Sequence, residues 1–329
     1  MFAADLPIWF VRVLAFVFGA LWGSFFNVCI YRWPREMSVV KPPSHCPGCG
    51  EPVRWYLNLP IFGYALLGGK ARCCGAPLTA RYVWVEAITA VLCVAVAERF
   101  ILQAAPDALA WQAALEALLY FAFVGGLVIA TFVDLEWMEI PDEVSLPGAA
   151  LGLATVTFRG APGAVEAALG AGLGFLIIQV PFVWLYEQLR GFRGMGEGDS
   201  KLLMFIGAFL GWRAVLFSLI AGSIQGLFVA AIGMATGSSL VPERPDDLPD
   251  GAAPEGAEPS TEPDQGDSEK GDKNTEVGAD EQSEESDAPA PPMIVFGPLL
   301  AIAAIEYLFF GEELIAVYWQ LLSWIGNHQ

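Results

Sequence analysis

Residues 111–136 read WQAALEALLYFAFVGGLVIATFVDLE, and this stretch decides the class of fold. Its apolar part, residues 111–133, reaches the roughly 20 mainly apolar residues that a helix needs to cross a bilayer. The apolar part ends at a carboxylate, Asp134, where a spanning helix would leave the hydrocarbon. We therefore predict a transmembrane helix with an acidic residue at its end.

Similar apolar blocks recur along the chain, which is 55% hydrophobic. The block at 7–31 is too long for a secretory signal, carries Arg12, and lacks a small-residue cleavage site, so we predict a retained helix. The block at 202–212 is short enough to be tilted, partly inserted or merged with the next. The remaining blocks are residues 82–96, 144–158, 167–186, 214–236 and 293–310. The pattern predicts an all-α polytopic membrane protein with seven or eight transmembrane helices.

Most of the net charge of −19 comes from one segment. Residues 241–290 contain 17 acidic and 3 basic residues and are rich in Pro, Gly and Ser. Such a composition cannot bury enough apolar surface to offset the entropy of ordering. We therefore predict an acidic disordered linker over residues 238–292. A second hypothesis is that its charge attracts a basic peptide.

Basic residues of the short loops set the orientation, because Lys and Arg are retained on the cytoplasmic side. The loop after the first block has two acidic residues and seven basic ones, Arg32, Arg35, Lys41, Arg54, Lys70, Arg72 and Arg81. We predict that it is cytoplasmic, with the amino terminus outside. The predicted domains are a first helix (1–31), a cysteine-containing cytoplasmic loop domain (32–81), a membrane core (82–237), the linker (238–292) and a C-terminal transmembrane segment (293–329).

Two carboxylates stand at predicted ends of helices on that same face. Asp134 closes the third block, and Asp199 opens the sixth in the sequence GMGEGDSK, residues 194–201. Two carboxylates that meet cannot both ionise easily, so they share a proton and can act as base and acid. Gly196 and Gly198 would allow unusual backbone angles and close approach of an extended peptide. The pattern favours an aspartic protease.

Other interpretations of these acids remain open. Each carboxylate could simply mark a helix end, or the pair could relay protons in a transporter. The chain could also be an inactive scaffold of a secretion machine. Asp142 is predicted as a turn and N-terminal cap, with a secondary role at the site. Glu197 and Lys201 are candidates for orienting substrate or lipid headgroups, with solvated loop charges as the alternative.

The cysteines fall into two groups. Cys29 and Cys93 lie in apolar blocks and are predicted to be small buried hydrophobes. The second group, Cys46, Cys49, Cys73 and Cys74, is a candidate zinc site. Adjacent cysteines point in different directions and rarely both reach one metal, so three thiolates with His45 or Cys73 as the fourth ligand stay possible. A disulfide is disfavoured in a reducing cytoplasm.

These residues together resemble the type IV prepilin peptidases, polytopic aspartic proteases with a Gly-x-Gly-Asp signature. The motifs that carry the resemblance, in chain order, are Gly23-Ser24-Phe25-Phe26-Asn27, Cys46-Pro47-Gly48-Cys49-Gly50, Asn58-Leu59-Pro60, Arg81-Tyr82 with Glu86, Ile140-Pro141-Asp142, Gly196-Glu197-Gly198-Asp199 and Phe296-Gly297-Pro298. Only the acidic linker lies outside the resemblance. In one respect the chain departs from the family, because Ala71 stands where the first cysteine of a second Cys-x-x-Cys pair is expected.

The resemblance implies a function. Asp134 and Asp199 would be the catalytic pair, which removes short basic leaders from type IV prepilins or type II secretion pseudopilins. The site would face the cytoplasm from the bacterial inner membrane, with membrane lipid as a partner and no nucleic acid. Proteolysis would need no cofactor. Many relatives also methylate the new amino terminus with S-adenosylmethionine, and that activity is associated with the cysteine-containing loop.

Overall fold

The structure is a computed structural model that describes residues 2–46, 48–54, 59–190, 196–236 and 295–326. Within these ranges the chain forms helices and isolated bridges but no strand of a sheet, which confirms the all-α prediction. The predicted acidic linker, residues 238–292, lies outside the described residues, as do residues 55–58 and 191–195 of the sequence motifs.

The α-helices follow the apolar blocks closely. In chain order they are α1 (Ile8–Arg32), α2 (Phe62–Leu67), α3 (Arg81–Ala97), α4 (Ala110–Trp137), α5 (Asp142–Ala154), α6 (Ala164–Ile178), α7 (Tyr186–Arg190), α8 (Glu197–Leu210), α9 (Trp212–Thr236) and α10 (Gly297–Gly326). Two π-helical segments, Glu98–Leu102 and Gln179–Leu185, extend α3 and join α6 to α7. Each of the eight predicted blocks overlaps a helix, and the block at 167–186 spans α6, the following π-helical segment and the start of α7.

Four helical stretches are long and apolar enough to cross a membrane, namely Ile8–Arg35, Ala110–Trp137, Ala164–Arg190 and Trp212–Thr236. The chain is therefore a helical protein with four candidate spans in its described part. The sixth block does not merge with the seventh, because Gly211 adopts a φ of 82° and separates α8 from α9. The larger count of seven or eight spans stays a prediction.

Small residues let the helices approach closely, as is usual for helix pairs in membranes. A Cβ atom at Gly174 would meet the α8 backbone, with the nitrogen of Met204 only 2.8 Å away. Beside this crossing, the rings of Phe123, Phe205 and Phe209 pack on one another with centroids 4.8 to 5.5 Å apart. The bundle therefore holds α8 firmly against α4 and α6.

The predicted burial of two cysteines is confirmed. Cys29 and Cys93 are both buried in the core, on the facing helices α1 and α3. A Cβ atom at Gly19 would lie 2.6 Å from the Cβ of Cys93, so the two helices touch at this level. The α1 and α3 pair fixes where the loop between them leaves the bundle.

Candidate active site

Asp134 lies in the last turn of α4 and is only 6% exposed. The backbone N–H of Gly297, the first residue of α10, donates a hydrogen bond of 3.0 Å to its Oδ2 atom. The amino end of a helix carries a partial positive charge, so α10 stabilises a negative charge at this position. The structure thus provides a specific partner for one carboxylate oxygen.

Asp199 lies in the first turn of α8 and is close enough to Asp134 for a direct electrostatic interaction between the two carboxylates. The structure therefore brings together the two acids that sequence analysis had singled out, although 65 positions separate them. Close carboxylates favour a state in which they share one proton. Such a pair can accept a proton at one residue and donate one from the other.

The backbone angles of the two glycines before Asp199 differ from the prediction. Gly196 has an extended backbone, with φ −69° and ψ 142°, and Gly198 lies inside α8. Neither residue has a positive φ, so the prediction of unusual backbone angles is wrong for both. Gly198 is instead required by packing, because a Cβ atom there would lie 2.9 Å from the Cβ of Ile140. That contact sets how closely α8 approaches the segment after α4.

Asp142 and Lys201 form an ion pair that joins α5 to α8. The Lys201 Nζ atom lies 2.6 and 2.7 Å from the two carboxylate oxygens of Asp142. Pro141 occupies the position before α5, and Asp142 is the first helical residue, so the predicted capping role is wrong by one position. Lys201 lies in α8, two residues after Asp199, rather than in a solvated loop.

Glu197 is the first residue of α8. Its backbone carbonyl accepts a hydrogen bond of 2.7 Å from the Ser200 hydroxyl. An acidic side chain in the first helical turn favours the helix, because it complements the positive end of the helix dipole. Glu197 therefore helps to begin the helix that carries Asp199.

Sequence analysis did not assign two of the groups that surround this pair. One is the backbone N–H of Gly297, although Phe296-Gly297-Pro298 had been noticed as a motif. The other is the ion pair between Arg81, at the start of α3, and Glu136, two residues after Asp134. The sequence shows a basic residue at the start of α3 and an acidic residue near the end of α4. That Arg81 and Glu136 pair is visible only in the tertiary structure, because 55 positions separate them.

The second cluster of reactive side chains lies in the loop between α1 and α3. The Sγ atoms of its four cysteines all lie within 4.8 Å of one another. Cys46 and Cys74 are 3.7 Å apart, and Cys49 and Cys73 are 3.2 Å apart. Four thiolates bound to zinc at about 2.3 Å in a tetrahedron would be about 3.8 Å apart. The cluster therefore fits a zinc ion.

One backbone turn brings Cys73 and Cys74 into the cluster. Residues 71–76 form a tight turn with two backbone hydrogen bonds of 2.8 Å. The N–H of Ala71 donates to the carbonyl of Ala76, and the N–H of Gly75 donates to the carbonyl of Ala71. Gly75 adopts a φ of 74°, which an L side chain rarely does. This turn directs both Cys73 and Cys74 into the cluster, contrary to the expectation for adjacent cysteines. His45 is not a member of the cluster.

The environment of the four thiols favours cation binding. Burial alone would raise the pKa of the Cys46 thiol, but the N–H groups of Gly48 and Cys49 and the neighbouring thiols lower it to about 7. Hydrogen bonds with Cys49 and Cys46 raise the pKa of Cys73 to about 12. Four thiolates this close repel one another unless a cation lies between them, and metal binding then displaces the protons.

Comparison with protein-family models gives two matches. Residues 17–100 match the bacterial peptidase A24 N-terminal domain, which includes the cysteine cluster. Residues 118–231 match the type IV leader peptidase family, and this region contains Asp134 and Asp199.

Curated proteins similar to the chain include three named prepilin leader peptidase/N-methyltransferase. The protein from Myxococcus xanthus is 32% identical over 93% of this chain and 92% of its own length. The protein from Aeromonas hydrophila is 36% identical over 69% of this chain and 82% of its own length. The protein from Pseudomonas aeruginosa is 32% identical over 74% of this chain and 89% of its own length. No solved structure matches the chain significantly.

Proposed function

Because the chain belongs to the type IV leader peptidase family, we propose that it is a membrane endopeptidase which cleaves the leader peptide from prepilins, with Asp134 and Asp199 as its catalytic pair. One observation supports this pair above all others. Two carboxylates from distant parts of the chain lie close enough at one end of the bundle to interact electrostatically, and one of them accepts a hydrogen bond from a backbone N–H.

The hydrogen bond from Gly297 decides the starting roles in this proposal. A hydrogen bond to the charged form of a carboxylate favours that form. Asp134 therefore begins ionised and acts as the base, and Asp199 begins with the shared proton and acts as the acid. This assignment concerns the resting pair only, because the two residues exchange roles during the reaction.

The proposed hydrolysis follows from these roles. Asp134 takes a proton from water as the water oxygen bonds to the scissile carbonyl carbon, and Asp199 gives its proton to the carbonyl oxygen. When the C–N bond breaks, the leaving nitrogen takes the proton held by Asp134, and Asp199 regains a proton from the tetrahedral carbon's hydroxyl group. The products are the released leader and a pilin with a new amino terminus.

We place this reaction on the cytoplasmic side of the bacterial inner membrane. The basic loop between α1 and α3 supports this orientation, since positive residues are retained in the cytoplasm. Arg81, at the end of that loop, pairs with Glu136 beside Asp134, so the loop and the carboxylates share one end of the bundle. The substrates would be type IV prepilins or type II secretion pseudopilins with basic leaders, embedded in lipid beside the bundle.

The second proposed activity is methylation of the new amino terminus, because the named relatives are also N-methyltransferases. When bound, S-adenosylmethionine would supply the methyl group for the new amine. Cys46, Cys49, Cys73 and Cys74 would hold a zinc ion that stiffens the loop. Their separations support that assignment.

The test is cleavage of a prepilin-like peptide with a basic leader and a Gly-Phe junction by the purified protein in detergent. Asp134→Asn and Asp199→Asn should each lower kcat by roughly 10²- to 10⁴-fold, the usual contribution of a general acid or base. Asp107→Asn, at an exposed loop acid, is the matched control and should cleave like the parent. Equal cleavage by all four proteins would refute Asp134 and Asp199 as the catalytic pair. Absence of cleavage by the parent would refute the peptidase activity and favour a scaffold or, if liposomes show proton flux, a transporter.

A further inference from the structure

A cavity of about 420 Å³ lies at the end of the bundle opposite the carboxylate pair. Its walls are the π-helical end of α3, the first turns of α4 and the segment between α5 and α6. Gln112 lines the cavity, and Asp134 lies 22 residues further along the same helix. At 1.5 Å per residue the two are roughly 33 Å apart, so the cavity is distinct from the proposed active site.

A buried arginine lines this cavity. Arg159, between α5 and α6, is only 5% exposed, and its Nη groups donate to the backbone carbonyls of Gly152, Ala208 and Phe209. Its Nε atom is buried and has no hydrogen-bond partner, and no carboxylate oxygen of the described residues lies within 4.0 Å of its guanidinium. Carbonyl groups are neutral, so the positive charge has no counter-ion. A buried charge without a counter-ion is unfavourable, which favours an anion in this cavity.

Arg99, at the π-helical end of α3, adds a second positive charge to the lining. Arg99 and Arg159 both lie close enough to the buried Tyr120 to interact electrostatically with its hydroxyl group, so the two cations share one neighbourhood. The lining has one acidic residue, Glu116, which accepts a hydrogen bond of 2.9 Å from the N–H of Gly160. With two arginines and one glutamate, the lining has a net charge of +1.

Neutral donors complete the polar part of the lining. They are the amide group of Gln112, the hydroxyl group of Thr157 and the indole N–H of Trp111. Guanidinium, amide and hydroxyl groups all donate hydrogen bonds to phosphate oxygens in proteins. Trp111 is exposed, and tryptophan is enriched where a membrane meets water, with its ring at the level of the lipid headgroups. The polar lining therefore lies at the level where a lipid phosphate would be.

An apolar stripe continues from the cavity along α4. Trp111, Leu115 and Leu118 are spaced at i, i+4 and i+7, so they share one face of the helix. Leu118 is exposed, as is Phe158 in the cavity wall. In a bilayer such an apolar face contacts acyl chains. A free anion would use the charged lining alone, whereas a phospholipid would use both the lining and the stripe.

We propose that this cavity binds the phosphate group of an anionic phospholipid, with Arg99 and Arg159 as its charged contacts and the α4 stripe beside its acyl chains. In the orientation proposed above, this lipid belongs to the outer leaflet. The site goes beyond the proposed peptidase and methyltransferase activities and depends on neither. A bound phosphate would balance the charge of Arg159 and join three segments of the bundle, so the lipid should also raise the Tm.

The test measures binding of phosphatidylglycerol to the delipidated full chain in detergent by native mass spectrometry. Phosphatidylcholine is the comparison, because its choline group cancels the charge of its phosphate. The parent should bind phosphatidylglycerol roughly tenfold more tightly than phosphatidylcholine, since two arginines face the anion. Arg99→Gln should weaken binding of phosphatidylglycerol by roughly fivefold to tenfold, whereas Arg99→Lys keeps the charge and should bind within about twofold of the parent.

Arg213→Gln is the matched control. Arg213 lies in the first turn of α9, at the same end of the bundle, but it is exposed, lies outside the cavity and pairs with Glu166 at 3.6 Å. This variant should bind phosphatidylglycerol like the parent. Arg99 is the residue to replace because Arg159 also holds backbone carbonyls of α8, so its loss would lower stability. Thermal unfolding of each variant without lipid checks that the protein folds.

Three results would overturn the proposal. The first is equal binding of phosphatidylglycerol and phosphatidylcholine by the parent. The second is binding of phosphatidylglycerol by folded Arg99→Gln as tight as by the parent. The third is a rise in Tm with inorganic phosphate that equals the rise with phosphatidylglycerol, because the cavity would then hold a free anion and the α4 stripe would contribute nothing.

Discussion

Replacement of Gly297 by alanine tests directly how Asp134 is held. A methyl group at this position would collide with the Oδ2 atom of Asp134 and would lie 3.1 Å from its Cγ atom and 3.0 Å from Cδ1 of Ile140. Either the carboxylate or the start of α10 must move. The hydrogen bond between the Gly297 N–H and Asp134 is then lost or weakened.

The size of the effect follows from that bond. A hydrogen bond to a charged group contributes about 1.5–3 kcal/mol. At about 1.4 kcal/mol for each tenfold change in rate, its loss would lower kcat/KM for leader cleavage by roughly 10- to 150-fold. Steady-state cleavage of the prepilin-like peptide in detergent gives this ratio. Gly172→Ala, where no neighbour lies within 4 Å of the added atom, is the control and should cleave like the parent.

Overpacking could also lower stability, so a second variant separates the two effects. In Gly297→Ala combined with Ile140→Val, the Cδ1 contact is absent but the collision with Asp134 remains. We expect the double variant to have a higher Tm than Gly297→Ala and to stay slow. Cleavage within threefold of the parent by Gly297→Ala would refute the assignment of Gly297 as the group that holds Asp134.

Two further predictions concern packing and metal binding. Gly198→Ala should lower the free energy of unfolding by about 1–3 kcal/mol. The new Cβ atom would lie 2.9 Å from the Cβ atom of Ile140, and neither atom can move without its backbone. An unchanged Tm in detergent would contradict this prediction. Cys73→Ser should lower the zinc content per chain, measured by release to a colorimetric chelator, whereas Cys93→Ala, in the helical core, should keep it. Equal zinc in both variants would exclude Cys73 as a ligand.

The helices and the carboxylate pair could be predicted because their signals are local. A run of apolar residues forms a helix in a bilayer whatever its neighbours are, since the backbone must satisfy its own hydrogen bonds there. Asp134 and Asp199 stood out because a carboxylate at the edge of hydrocarbon is costly and is rarely accidental. Neither inference needed to know which helices touch.

Contacts between distant segments could not be predicted in the same way. The partner of Asp142 is Lys201, 59 positions away, where sequence analysis expected a helix cap and a loop charge. Gly198 was expected to serve the backbone, yet its role is to let Ile140 approach. In each case the deciding atom belongs to a segment that the local pattern does not specify.

The sequence by itself determined the helical class, the approximate positions of the long apolar helices, the two candidate carboxylates and the resemblance to a peptidase family. Only the tertiary structure decided that the N–H of Gly297 donates a hydrogen bond to Asp134 and that four cysteines, including adjacent Cys73 and Cys74, converge. The physical reason is that hydropathy and residue type act over one helical turn or one bilayer crossing. Hydrogen bonds and metal geometry instead depend on ångström-scale distances between segments, and packing alone sets these.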